Sequence, residues 1–271
     1  MICQPLFEKL TSYPRVKSNM NQQLFLEITS FFNDLPRQGV GSTNSFLKAF
    51  SLLPEFKTGT QFIDIGCGTG GQTLDLLTHS SGFVTAVDSS QTSLDLLTKS
   101  AHERGFADRL DVLCEDITEL EMFEQSFDVI WSEGAIYNVG LEDGLKSWRY
   151  LLKNDGYIVV NDCCWLTQSP SRETTTYWEE SYPGMTNLLD TADCVIRAGY
   201  QLLESFVQPE NDWWDNFYTP MEKKIALQRS YPIENFPEGY ADFLAGMEAE
   251  IDLRRNYGEE YGYVFFILKK V

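Results

Sequence analysis

The sequence predicts an α/β fold, a mostly parallel sheet with helices on both faces, and three observations carry that prediction. From Thr60 to Asn161, short apolar runs of strand length alternate with segments whose apolar residues recur at helical spacing. The first run empties into the turn Gly66-Cys67-Gly68-Thr69-Gly70-Gly71. The next runs end on acids, Asp88 after the second and Glu115-Asp116 after the third.

The elements follow in order. From Asn21 to Leu35 the residues Leu24, Ile28, Phe31, Phe32 and Leu35 share one helical face. After Gly39 and Gly41, Ser42 and Thr43 open a second helix carrying Phe46, Leu47, Phe50 and Leu53. Residues 1–58 therefore read as a helical cap on a domain spanning 59–271. Strands are expected at 61–65, 83–87, 110–114, 127–131 and 157–161. The helices between them are marked by Leu74 and Leu77, by Leu94, Leu97 and Ala101, and by Leu141, Leu145, Trp148 and Leu152. Beyond a polar, aromatic stretch, Leu188, Leu189, Ala192, Val195 and Ile196 mark a helix that Gly199 ends. Strands at 201–207 and 263–268 close the pattern. Between them, at about 209–260, lies an insertion bearing Trp213, Trp214, Phe217, Tyr218, Tyr231, Phe236, Tyr240 and Phe243. Compact domains seldom carry such a connection without a use. Its rings suit a wall for a cationic or planar substrate, but a homodimer interface or plain core is the favoured reading.

Composition narrows the class. At 271 residues the chain can bury one substantial core. Its 21 Lys and Arg face 40 Asp and Glu, and the net charge of −19 repels phosphate backbones, so no nucleic-acid partner is expected. No apolar run approaches the roughly 18 residues of a membrane helix. The first ten residues lack a basic start followed by an apolar stretch, so no secretory signal is expected. Cys3, Cys67, Cys114, Cys163, Cys164 and Cys194 have no paired metal-ligand spacing, and His79 and His102 stand apart. Free thiols, no metal and a cytoplasmic location are the expectations.

The glycine turn carries the chemistry. A strand emptying into glycines lets backbone approach a ligand closely, and the next helix points its positive end there. Dinucleotide-binding folds place glycines similarly, so the turn alone leaves an NAD-dependent oxidoreductase open.

The segment Asp64-Ile65-Gly66-Cys67-Gly68 resembles the first motif of class I S-adenosylmethionine-dependent methyltransferases, an acid, one apolar residue and GxGxG. The resemblance continues at Val87-Asp88-Ser89-Ser90, at Cys114-Glu115-Asp116-Ile117 and at Phe127-Asp128-Val129-Ile130-Trp131-Ser132-Glu133. It runs from about Thr60 to the C-terminus and includes the final strand pair, which resembles the family's antiparallel edge hairpin. Ser132-Glu133-Gly134-Ala135-Ile136-Tyr137-Asn138 and Arg37-Gln38-Gly39-Val40-Gly41-Ser42 are most similar to small-molecule enzymes of the ubiquinone- and sarcosine-forming type. Val40 stands where those enzymes would have proline.

The resemblance implies a Rossmann-like, seven-stranded, mostly parallel sheet with an antiparallel final strand. It implies S-adenosylmethionine as cofactor, S-adenosylhomocysteine as product and a small-molecule acceptor. Asp64 and the backbone amides of Gly66, Cys67 and Gly68 would position the cofactor's amino-acid end, near Arg37 and Glu133. Asp88, beside Ser89, would take the ribose hydroxyls, and Asp116 and Ile117 the adenine. Glu133 and Tyr137 would flank the transferring methyl as catalytic residues, with Asp162, Trp165, Trp178 and Tyr182 lining the acceptor cavity. No Asn/Asp-Pro-Pro-Tyr/Phe run follows the fourth strand, which argues against methylation of nucleic-acid bases or protein glutamine. A protein methyltransferase and a non-catalytic S-adenosylmethionine-binding module remain the alternatives.

Overall fold

The computed structural model describes residues 22–271, so the first ten residues, Cys3 and Asn21 lie outside the described residues. Helices α1 (Gln22–Asn33) and α2 (Thr43–Ser51) precede the sheet. Its strands are β1 (Gln61–Ile65), β2 (Phe83–Asp88), β3 (Leu110–Cys114), β4 (Phe127–Ser132), β5 (Leu152–Trp165), β6 (Thr186–Asn187), β7 (Tyr200–Val207) and β8 (Tyr261–Lys270). Helices α3 (Gly71–His79), α4 (Gln91–Glu103), α5 (Leu141–Trp148), α6 (Arg172–Ser181) and α7 (Leu188–Arg197) fall between strands. Before β8 come α8 (Glu210–Trp213), a π-helical turn at Trp214–Tyr218, α9 (Thr219–Arg229) and α10 (Tyr240–Tyr257).

The order β3-β2-β1-β4-β5-β8-β7 makes a Rossmann-like sheet in which β8 alone runs antiparallel to its neighbours β5 and β7. The sequence predicts seven strands, and the eighth is β6, two residues paired in parallel with Cys164 and Trp165. Two residues carry no alternation to read. Strand β5 is also longer than 157–161, because the polar run Lys153, Asn154, Asp155 hides its start. The final strand pair is antiparallel but not a hairpin, since α8 to α10 separate its members.

Each helix between strands buries one stripe. Leu94, Leu97 and Ala101 of α4 are fully buried, and so is Leu145 of α5. In α7 the expected stripe is corrected: Leu189 is 76% and Ile196 66% exposed, while Thr191, Cys194, Val195 and Ala198 face inward. A threonine can take the core side because its hydroxyl is bonded there, donating to Asn187 O at 2.9 Å and lying 2.9 Å from Thr186 Oγ1. Leu47 of α2 likewise faces outward.

The insertion and the first helix form one packing unit over the carboxyl edge of the sheet. Phe31 and Phe32 of α1 meet Phe243 of α10 at ring distances of 5.1 and 5.9 Å. Trp213, Phe217, Tyr218, Tyr240 and Phe243, the rings that raise an interface or a substrate wall, are buried inside this unit, whereas Tyr231 is exposed.

The glycine loop docks onto α4 at Gly70, whose φ is +89°. A Cβ there would stand 2.2 Å from Leu97 Cδ1. Gly70→Ala is expected to lose about 2–4 kcal/mol, the sum of a left-handed backbone and an overpacked core. Urea unfolding measures it, and a loss under about 0.5 kcal/mol would mean that Leu97 does not hold the loop.

Candidate functional site

The site begins where β1 and β2 end. The N–H groups of Gly66 and Cys67 both donate to Val87 O, at 2.8 and 2.9 Å. Asp88 accepts from Gly68 N–H on Oδ2 and from Ser90 N–H on Oδ1, both at 2.9 Å. Thr69 N–H donates to Gln38 Oε1 at 2.8 Å, and Gly70 N–H to Cys67 O at 2.9 Å. Every amide from 66 to 70 is thus donated within the protein. The amides of Gly66, Cys67 and Gly68 therefore turn to β2 and Asp88, whereas the resemblance turned them to a ligand. The loop is left with acceptors and bare Cα surface.

A cavity opens over this loop. Gly66, Cys67, Gly68 and Thr69 form its floor, and Pro36, Arg37, Gln38 and Val40 its roof. Glu133, Gly134 and Tyr137 supply the wall after β4, and Tyr263 of β8 the far side. Arg37 Nη2 pairs with Asp75 Oδ2 at 2.9 Å, and its Nη1 lies 3.8 Å from Glu133 Oε2. Trp131 Nε1 donates to Glu133 Oε1 at 2.7 Å. Burial pushes the Glu133 carboxyl up to about 7, against the pull of Arg37 and the indole.

Asp64 is wholly buried and does not line the cavity. It accepts from Thr73 Oγ1 at 2.5 Å and weakly from Gln72 Nε2, fastening the first turn of α3 to β1. Burial first, then the charges of Glu133 and Asp88, push it up to about 7, although Thr73 and Gln72 pull it down. Asp88 is buried behind the loop, while Ser89 and Asp116 are exposed at the edge beyond β2 and β3. Asp116 accepts from Thr118 N–H and Oγ1 at 2.9 and 2.8 Å, and those bonds hold its carboxyl below the usual range. Ile117 O accepts from Trp148 Nε1 at 3.1 Å beside a separate cleft.

Of the residues assigned to the acceptor, Asp162 and Tyr182 are in direct contact, Tyr182 Oη donating to Asp162 Oδ2 at 2.8 Å. Cys163 N–H donates to Asp162 Oδ1 at 2.9 Å. Burial pushes Asp162 up to about 7, with both hydrogen bonds opposing. The Tyr182 ring lies 5.9 Å from that of Tyr137. Trp178 is buried edge-on against Tyr261 at 5.0 Å, and Trp165 is half-buried beside the same core; none of the four, Asp162 and Tyr182 included, lines the cavity, and Tyr182 approaches it only through Tyr137.

Several parts of the site escape the sequence reading. Gln38 both grips Thr69 and donates to Asn33 Oδ1, and only its place beside Arg37 hinted at it. Gly134 is legible only as part of the run after β4, and Tyr263 only as a strand residue. A buried polar chain also joins the wall to the roof: Gly134 N–H donates to Asn161 Oδ1, Asn161 Nδ2 to Gln208 Oε1, and Gln208 Nε2 to Asp212 Oδ2. Asp212 O in turn accepts from Gly41 N–H at 3.3 Å.

Comparison with known proteins agrees with this architecture. A phosphoethanolamine N-methyltransferase of Triticum aestivum is 25% identical over 230 residues, 82% of this chain and 44% of that protein. The chain thus spans a little under half the length of such curated relatives. A Haemonchus contortus phosphoethanolamine N-methyltransferase 2, solved with S-adenosyl-L-methionine, superposes with a TM-score of 0.68 at 17% identity, covering 97% of this chain and 60% of that one. A Geobacter sulfurreducens SAM-dependent methyltransferase, solved with S-adenosyl-L-homocysteine, gives 0.70 at 19% identity, covering 84% and 90%. At those identities the two structures speak for the fold. The profile of a family described as "Methyltransferase domain" matches residues 56–224, well over half of the chain. The chain belongs to this methyltransferase-domain family.

Proposed function

We propose that the chain binds S-adenosylmethionine over the glycine loop and catalyses transfer of its methyl group to a small-molecule acceptor. One observation carries the reading: every amide from 66 to 70 is already donated, and of the two charged side chains that line the cavity, Glu133 and Arg37, the guanidinium is already paired with Asp75. A pyrophosphate needs free N–H donors at this turn, so the arrangement disfavours an NAD-dependent oxidoreductase. A cofactor bearing an ammonium and a sulfonium suits acceptors instead. When bound, S-adenosylmethionine supplies a methyl group on a positively charged sulfur.

The residues take roles from their positions. Glu133, beside Arg37 and the loop, faces the cofactor's ammonium, and Gln38 keeps the roof against Thr69. Asp88 has lone pairs to spare for two ribose hydroxyls while it holds Gly68 and Ser90. Ser89, Asp116 and Ile117 occupy the edge along which an adenine would extend. Tyr137 marks the acceptor end, and the residues of this chain act there by alignment and exclusion of water. Because Glu133 is shared with Arg37 and Trp131, we place it with the cofactor and not as a base. The roof over residues 66–69 makes a covered cavity, which favours a small acceptor over a protein. The relatives named for phosphoethanolamine support a small acceptor as well. Among the described residues no helix is long and apolar enough to cross a membrane. Free Cys67, Cys114, Cys163, Cys164 and Cys194 support a reducing, cytoplasmic setting.

The deciding experiment is calorimetry with S-adenosylhomocysteine and NADH in parallel, followed by mass spectrometric detection of S-adenosylhomocysteine over an acceptor panel. Binding without turnover across the panel would favour the non-catalytic module. Asp88→Ala is expected to weaken S-adenosylhomocysteine by about 1–3 kcal/mol, the value of a charge-assisted acceptor. Unchanged affinity in a folded Asp88→Ala protein removes Asp88 from the site.

The pH dependence has a definite sign. With its carboxyl pushed up to about 7, Glu133 keeps its proton in the folded state across a range where the unfolded chain has lost it. Stability of the ligand-free protein should therefore fall as pH rises from about 5 to 7, and Glu133→Gln should flatten that slope. S-adenosylhomocysteine carries an ammonium that favours the ionised carboxylate, so its affinity should rise from pH 6 to 8. Thermal melts and calorimetry across this range check both, and a wild-type affinity independent of pH would separate Glu133 from the ammonium.

A further inference from the structure

Resting on the transfer reaction proposed above, we infer that the acceptor is a small amine without a phosphate group, and that Asp162 and Tyr182 hold its ammonium behind Tyr137. Asp162 lies near the carboxyl end of β5, 3% exposed, with its two oxygens bonded to Tyr182 Oη and Cys163 N–H. Both partners are neutral groups. Among the described residues, no salt bridge reaches this carboxylate, and no cation contributes to the causes that set its protonation. A buried carboxylate without a counter-charge is costly, and a ligand that brings the cation removes the cost.

The surroundings fit an alkylammonium. Tyr182 leads from Asp162 to Tyr137, whose ring packs 5.9 Å away and lines the cavity together with Tyr263. Ring faces attract cations, most strongly where water is excluded. Two buried oxygens without a hydrogen-bond partner, Asn138 Oδ1 and Ser181 Oγ, belong to the sequence neighbours of these tyrosines. Among the described residues, the cations near this region are already compensated. Arg37 is engaged by Asp75 and faces Glu133. Arg254 is engaged by Glu210 and Tyr261 O, with its guanidinium 3.9 Å over the Trp213 ring. His79 and His102 sit in the last turns of α3 and α4, at the opposite ends of those helices from the ligand edge. Among the described residues, the phosphate of phosphoethanolamine would find no uncompensated cation here.

The pair also does what an amine acceptor requires. An ammonium has no lone pair, so one proton must leave before nitrogen can react. Asp162 accepts it: an O–H bond forms as the N–H bond breaks, and the nitrogen retains the electron pair. A carboxyl pushed up to about 7 by burial is matched to that exchange near neutral pH.

The test uses the full chain saturated with S-adenosylhomocysteine, with tetramethylammonium, ethanolamine and phosphoethanolamine as calorimetric probes. Wild type should bind tetramethylammonium and ethanolamine and not phosphoethanolamine. Asp162→Asn should weaken tetramethylammonium about tenfold or more, the scale of one buried charged contact, with S-adenosylhomocysteine affinity unchanged. Turnover, followed as S-adenosylhomocysteine formed from S-adenosylmethionine, should appear with amines that lack a phosphate group. Undiminished tetramethylammonium binding in Asp162→Asn, or preference for phosphoethanolamine, overturns the subsite while leaving the transfer reaction standing. Failure of wild type to bind S-adenosylhomocysteine overturns both. If Asp162→Asn does not fold, Tyr182→Phe decides: it should weaken tetramethylammonium severalfold, and unchanged binding in the folded variant overturns the assignment.

Discussion

One carboxylate and one carbonyl hold the site together. Asp88 takes the amides of Gly68 and Ser90, and the neighbouring Val87 O takes those of Gly66 and Cys67. Four N–H groups from two chain crossings are thereby tied to the end of a single strand. The first crossing delivers the chain into α3 and the second into α4, so the bonds that close the loop also set the entry of both helices. Gly70, pressed against Leu97, is the third point of the same joint. Satisfying these donors internally removes an anion-binding turn and leaves the cavity floor electrostatically open to cations.

The roof depends on that floor through bonds between distant parts of the chain. Gln38 links the segment after α1 to Thr69, and Arg37 links it to Asp75 on α3. On the opposite side, the chain from Gly134 through Asn161 and Gln208 to Asp212 reaches Gly41. Each member of that chain is bonded, which is the condition for a buried polar network to specify a geometry. The aromatic unit of α1, α8 and α10 supplies the apolar mass that holds the roof down. Cap and insertion are separate stretches of sequence but neighbours in one core.

What the sequence discloses follows from the range of the interactions. The parallel strands and the acids at their ends are legible because alternation and strand termini are local patterns. Asp88 stands out on that basis, and Glu133 and Arg37 by resemblance. The partner of each atom is not local. Glycines announce a close approach, yet nothing in their spacing says that Val87 and Asp88 take the amides. Asp64 is legible as an acid, but its burial against Thr73 depends on how α3 folds back over β1. The core face of α7 is not legible, because Thr191 counts as polar until Thr186 and Asn187 satisfy its hydroxyl. Tyr263 and Asn161 are legible only as strand residues, since the contacts that give them a role at the site cross dozens to hundreds of residues of chain.

Charge gives the site its direction. Asp64, Glu133 and Asp162 are all buried, and burial pushes each of them up to about 7. The guanidinium in the cavity roof, Arg37, lies between Asp75 and Glu133 and is compensated by them. A folded chain keeps carboxylates in such surroundings at a cost in stability, because each must remain protonated or find a cation. The two regions differ in what is already present. Glu133 has Arg37 nearby and an indole N–H on one oxygen, so it is partly compensated before any ligand arrives. Asp162 has only a phenol and an amide, so without a ligand it relies on protonation. The excess of acid that gives the chain its net charge of −19 thus includes buried carboxyls at the carboxyl edge of the sheet, where low dielectric makes any charge interaction stronger than it is in solvent.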